Sequence, residues 1–387
     1  MEQRTIQILF ALLRSALYGT KLTETGAEQI SQEQINELLS ISKKHDIEHL
    51  LAFGLKQNNL IPKDDKETEK RIFKAVYRYE RLNFDYLRLC SALEEAQIPF
   101  IPLKGAVLRN FYPEAWMRTS CDLDVLVHRE DLEKAVFYLV QNLKYIEKER
   151  TIHDVSLFSP NGNHIELHFD LLEEGRMNNA NSVLAAVWKN VSLHKNCKYQ
   201  YEMTDAFFYF YHIAHMAKHF ENGGCGIRPF IDLQILDNID GADQIKRDDL
   251  LSEGGLIKFA NAARKLSNIW FGDGPYDELS LKMQGFILHG GVYGTTDNRV
   301  ALRQQKKGSR FAYLLSRIFI PYSMLKSYYP ILEKHRWLTP FMQIIRWFRI
   351  LKPNVAKTAK QEIKISHGIE KSEADEMNIF LDKIGLI

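Results

Sequence analysis

Two short stretches of this chain alternate polar and apolar residues: CDLDVLV at 121–127 and HIELHFDL at 164–171. Alternation with a period of two sends successive side chains to opposite faces, the mark of a half-buried β-strand. The patterning to either side has helical spacing. The chain is therefore expected to be α+β, a small sheet unit flanked by helical regions.

Residues 1–95 read as an N-terminal helical region. QEQINELLSISKKHDIEHLLAFGLKQN carries apolar residues three and four apart, with Ser31 as its N-cap. ETEKRIFKAVYRYERLNFDYLRLCSALEEAQ predicts a second long helix ending before Ile98-Pro99. Residues 96–175 read as an α/β core. PFIPLKG is a short strand closed by glycine, AVLRNFY starts a helix, CDLDVLV is a strand and REDLEKAVFYLVQNL a helix. DVSLFSPNGNHIELHFDL is a hairpin about a Pro-Asn-Gly-Asn turn. Residues 176–300 form a C-terminal helical region, most clearly in DAFFYFYHIAHMAKHF, with GGCG as a breaker. Residues 301–387 are a tail, aromatic and basic at first and polar at its end.

Composition narrows the function class. The four cysteines are far apart with no CxxC pair, so neither a zinc knuckle nor a disulfide framework is indicated. A reducing cytoplasm is the expected compartment. The first residues, MEQRTIQILFALLRSALYG, read as a helix and not a signal peptide, and no stretch predicts a membrane-spanning helix. The formal charge is only +2, yet 303–364 holds fourteen Lys and Arg against two Asp and Glu. This stretch either meets an anionic partner, such as a membrane surface, or packs as a helix with snorkelling basic side chains.

The chemistry concentrates between 103 and 171. Asp122 and Asp124 lie two apart on a strand, so their carboxylates share a face. Such neighbours repel unless positive charge lies between them, and a hard divalent cation, Mg²⁺ or Mn²⁺, suits oxygen ligands. Glu166 alternates with Ile165 and Leu167 and offers a third carboxylate. Three carboxylates on adjacent strands can hold two metals about 4 Å apart, the arrangement for in-line phosphoryl displacement. Gly105, between strand and helix, lets phosphate approach the backbone, and Lys104 adds a point charge.

This ordered set resembles the core of the polymerase β-type nucleotidyltransferases. More narrowly, it resembles a bacterial family of uncharacterised nucleotidyltransferases, on Leu103-Lys104-Gly105, Tyr112-Pro113, Arg118, DLDVLV at 122–127 and Glu166-Leu167-His168-Phe169. His215, Lys218 and His219, followed by Asp232-Leu233, match an H-x-x-K-H helix and its D-L pair. The resemblance implies transfer of a nucleoside monophosphate from an NTP to an acceptor, releasing pyrophosphate. The acceptor is unspecified: a sugar phosphate, a small metabolite, a protein side chain or a tRNA end. Asp122 and Asp124 would bind both metals, Glu166 would share one and help deprotonate the acceptor, and Lys104 and Gly105 would hold the β and γ phosphates. One departure stands out: the superfamily's Gly-Ser pair is Gly105-Ala106 here.

Other readings compete. His212, His215 and His219 share a helical face and could ligate a metal, as in a histidine-metal hydrolase, or meet phosphate, or hold Asp232, or simply pack. Arg118 either contacts substrate or forms a buried ion pair. Gly290-Gly291 reads as a turn, lacking the strand-loop-helix context of a phosphate loop. A regulatory protein that kept the fold and lost turnover is the second function class, since fold does not fix function.

Overall fold

The computed structural model describes residues 3–22, 30–151, 153–172, 178–292, 294, 300, 302, 310–329, 331–350, 364–365 and 371–386. It is an α+β fold. Helices α1 (Gln3–Tyr18), α2 (Gln32–Lys44), α3 (Glu48–Gln57) and α4 (Lys66–Glu95) lead into the sheet region. There β1 (Phe100–Pro102), α5 (Gly105–Leu108), β2 (Asp122–Val127), α6 (Leu132–Leu143), β3 (Ile146–Arg150), β4 (Asp154–Phe158) and β5 (His164–His168) follow in order. After α7 (Asn178–Leu184) come a two-stranded ribbon, β6 (Val191–Leu193) with β7 (Tyr201–Met203), and helices α8 (Asp205–Glu221), α9 (Arg228–Asp237), α10 (Gln244–Glu253), α11 (Ile257–Phe271) and α12 (Glu278–Gly290).

The stretch expected as one helix over 32–57 is two. Ser31 caps α2 with a capping box, its hydroxyl accepting from the Gln34 N–H and the Gln34 side chain accepting from the Ser31 N–H. The helix ends at Lys44, and Asp46, two residues on, has a φ of 54° in the left-handed region. The long helix α4 starts at an Asp65 cap and runs to Glu95.

The sheet has the order β1-β2-β5-β4-β3. β2 runs parallel to β5, with Asp122 opposite His164 and Asp124 opposite Glu166; the other pairs are antiparallel. Leu123, Val125 and Val127 of β2 and Ile165 and Leu167 of β5 are buried against α4 and α6. Each stabilises by about 2 kcal/mol, so the five together contribute about 10 kcal/mol. A one-residue slip would turn them outward and drive Asp122, Asp124 and Glu166 into the core. This burial fixes which face carries the carboxylates. The two edge features of the region, β3 and the β6-β7 ribbon, are additions to the expected strand count.

Over the polar face lies a second, larger core built from α1 to α3 and α8 to α12. Helix α8 is apolar on nearly all sides and buries Phe207, Tyr209, Phe210, Ile213, Met216, Ala217 and Phe220. Gly223 and Gly224, at φ 117° and 122°, turn the chain from α8 into α9, a conformation that excludes most side chains.

In the tail, after α13 (Arg310–Ile318), helices α14 (Tyr322–Tyr328), α15 (Ile331–Lys334) and α16 (Thr339–Ile350) share a small cluster around Ile320, Leu325 and Leu332. Phe311, Trp337, Phe341 and Phe348 stay exposed. A final helix, α17 (Lys371–Lys383), returns to pack Phe380 and Leu381 into the larger core. Residues 303–309 and 351–363 of the basic stretch lie outside the described residues. Among the described residues no helix is long and apolar enough to cross a membrane.

Two buried histidines join the N-terminal helices to the rest. The His49 Nε2–H donates to the Met117 carbonyl at 2.8 Å, and His45 Nδ1 accepts from the Ile227 N–H at 3.3 Å. Burial lowers the pKa of each to about 4. Both are neutral in the fold and protonate more readily unfolded. Their contribution is complete above pH 6.5 and is lost as the pH falls towards 4, on the order of 3 kcal/mol for each. Urea unfolding at pH 7, 5.5 and 4 should therefore show a shallower pH slope for His49→Gln than for wild type. Equal slopes would show that His49 does not carry the acid sensitivity.

Candidate functional site

Between the polar face of the sheet and helices α8 and α9 lies a cavity of about 310 Å³. It brings together every residue that the sequence singled out as catalytic or nucleotide-binding. Lys104, Gly105, Arg118, Asp122, Asp124 and Glu166 line the sheet side, and His215, Lys218, His219 and Asp232 the helical side. His45, Ser120, Tyr211, His212 and Arg228 also line it.

The acidic wall follows from the β2–β5 register. Asp124 is almost fully buried, and burial alone would raise its pKa; Lys104 and His168 reverse this and hold it well below the ordinary carboxylate range. Lys104 Nζ is 3.5 Å from Asp124 Oδ2, and His168 Nε2 is 3.1 Å from Oδ1 and 3.4 Å from Glu166 Oε2. His168 is buried, which favours the neutral ring, yet these carboxylates raise its pKa to about 9. Asp122 behaves oppositely. Burial, then the charges of Asp124 and Glu166, raise its pKa. The wall thus holds one carboxylate already neutralised and another that lacks enough positive charge.

A divalent cation fits that deficit. Asp122, His164 and Glu166 place ligand atoms within 4.8 Å of one another, as do Asp124, Glu166 and His168. Oxygen donors suit Mg²⁺ and Mn²⁺, and the imidazole nitrogens add donors that Mn²⁺ accepts more readily. His164 is held as a ligating histidine would be, with Nε2 2.7 Å from the Ser156 hydroxyl and Nδ1 turned to the Glu166 side. His212, His215 and His219 form neither of these groups. His212 Nε2 is 3.0 Å from the Pro229 carbonyl, and His215 and His219 approach each other at 3.0 Å through Nε2. Burial, then Lys104, keeps His215 well below the ordinary histidine range.

Lys104 itself sits at φ 41°, a left-handed backbone position for a non-glycine residue. It immediately precedes Gly105, so the chain turns there and points the ammonium at the carboxylates. Burial opposes that charge, but Asp124, Tyr211, Glu166 and Asp122 hold its pKa above the ordinary lysine range. Helix α5 has only four residues, so the phosphate-favouring helix start expected after Gly105 is weaker than a full helix would give.

Arg118 and Asp232 form a buried ion pair at 2.7 Å, and the Tyr112 hydroxyl donates to the same Asp232 oxygen at 2.6 Å. The pair ties the loop before β2 to α9 from across the cavity. The other Asp232 oxygen is buried without a hydrogen-bond partner among the described residues. Arg228 adds a second tie, donating to Asp46 at 2.8 Å and to the Thr119 carbonyl. Sequence reasoning passed over His168 and His164 as site residues, although each lies two residues from Glu166 and shares its face. Ser120, two residues before Asp122, was passed over as well, whereas His45 and Arg228 gave no comparable signal, because only the folded chain brings them to the cavity.

The asymmetry between the two aspartates is testable in metal-free protein. Asp122→Asn removes repulsion and should stabilise by about 1 kcal/mol. Asp124→Asn strips Lys104 of its buried partner and should destabilise by about 3 kcal/mol. Denaturant unfolding in the presence of a chelator measures both, and equal shifts or the reverse order would contradict this charge assignment.

A family described as uncharacterised nucleotidyltransferase matches residues 31–272. The match holds the whole sheet, α8, α9 and every residue named on the acidic wall. No curated protein and no solved structure matches the chain. With well over half its length matched, and the cavity enclosed in that span, the chain belongs to the uncharacterised nucleotidyltransferase family.

Proposed function

We propose that the protein transfers a nucleoside monophosphate from an NTP to an acceptor by a two-metal reaction, with pyrophosphate leaving. The observation that carries this reading is the polarity of a single cavity. Carboxylates of β2 and β5 form one wall, and Lys104, Lys218 and the histidines of α8 stand around it. An NTP with its metals has matching parts: cations for the first wall and phosphate oxygens for the second.

Asp122, Asp124 and Glu166 are the proposed ligands. Bound there, divalent ions would neutralise charge building on the transferring phosphate and make the acceptor hydroxyl more acidic. Lys104 contacts the β and γ phosphates and stabilises negative charge on the departing pyrophosphate. Glu166, the more exposed of the two carboxylates beside His168, accepts the acceptor's proton. His215, Lys218 and His219 bind phosphate oxygens from α8. Arg118 and Asp232 act through each other, holding the two walls at their working separation.

The test is label transfer. Protein incubated with each α-labelled NTP, Mg²⁺ or Mn²⁺, and a metabolite and macromolecule extract should pass label to an acceptor. Asp122→Asn and Asp124→Asn should each lower the rate at least about a thousandfold, the scale of losing an electrostatic element of the transition state. Transfer undiminished in either variant would overturn the proposal.

A further inference from the structure

Ser120 stands apart from the other cavity residues because nothing so far assigns it work. It is 7% exposed, two residues before Asp122, and lines the cavity. Its hydroxyl makes no hydrogen bond among the described residues, while its neighbours Arg118, Thr119 and Cys121 are all engaged. Its oxygen is not among the fully enclosed polar atoms that lack a partner, so it opens onto the cavity, where a ligand can accept its proton.

Its location supplies one. A Cβ built on Gly105 would lie 2.0 Å from Ser120 Oγ and 3.2 Å from its Cβ. The Ser120 side chain therefore lies directly over the Gly105 backbone, in space that any larger residue at 105 would occupy. Arg118 Nη1 lies 3.7 Å from the same point. Lys104, one residue from Gly105, sends its ammonium to Asp124. A hydroxyl and a guanidinium thus meet over one glycine, and the residue before that glycine sends its ammonium to the acidic wall. Ala106 offers no hydroxyl, and it is buried rather than facing the cavity.

We propose that Ser120 Oγ is a binding residue for the triphosphate, donating its proton to a non-bridging oxygen of the β or γ phosphate beside Lys104 and Gly105. The inference rests on the nucleotidyl-transfer reading and adds to it a determinant that separates NTP from NMP. A nucleoside monophosphate has no oxygen at that place, so Ser120 contributes to triphosphate affinity alone. The hydroxyl before the DLD strand then does what the residue after Gly105 cannot.

The test is calorimetric titration of wild type and Ser120→Ala with the four NTPs and the corresponding NMPs, with Mg²⁺ present. For the NTP that wild type binds, Ser120→Ala should weaken affinity about tenfold, the scale of one hydrogen bond to a charged oxygen, and leave NMP affinity unchanged. Equal NTP affinity in the two proteins would overturn the assignment. So would equal weakening of NTP and NMP, which would make Ser120 a packing residue. Absence of any NTP binding by wild type would instead sink the nucleotidyl-transfer reading, and this inference with it.

Discussion

The parallel pairing of β2 with β5 is the constraint on which the rest depends. It sets Asp124 beside Glu166 and Asp122 beside His164, so five ionisable groups, counting His168, share one face of two strands. Such crowding is unfavourable in itself. It persists because the opposite face buries five aliphatic side chains, and because Lys104 and His168 neutralise the more buried carboxylate. The apolar term outweighs the residual repulsion, and the repulsion left on Asp122 is a charge deficit that a cation would relieve. Stability and chemistry are thus set on opposite faces of the same two strands.

The opposing wall is positioned by ties spanning long distances in sequence. Arg118 and Tyr112 hold Asp232, and Arg228 holds Asp46 at the break between α2 and α3. Each tie joins the loop before β2 or the N-terminal helices to α9, so the helical layer is fixed over the sheet in a definite register. The Gly223-Gly224 turn permits the approach by letting α9 fold back against α8. Where function needs two walls a set distance apart, buried ion pairs serve geometry more than stability, for their desolvation cost offsets much of their attraction.

Much of this was legible in the amino-acid order. The alternation in CDLDVLV and HIELHFDL foretold two strands with acids on one face, and Ser31 as an N-cap foretold where α2 begins. What escaped was of three physical kinds. Strand β3 is wholly exposed and reads IEKER, so no apolar alternation marks it; pairing with β4 alone defines it. The break at Asp46 lies in a segment with good helical spacing, and a left-handed residue supported by Arg78 and Arg228 overrides that local preference. His45 and Arg228 reach the cavity only through contacts between distant segments. Arg118 and Asp232, 114 residues apart, both drew notice, but their pairing did not.

The central claim is that the acidic wall of this cavity binds the metal complex of a nucleoside triphosphate. The most direct measurement is titration of each NTP into wild type and Asp124→Asn, with Mg²⁺ and then with chelator. The account predicts that one NTP binds wild type, that chelator abolishes the binding, and that Asp124→Asn does not bind it. Binding of equal strength in chelator, or in the variant, would contradict the account and place the nucleotide elsewhere on the molecule.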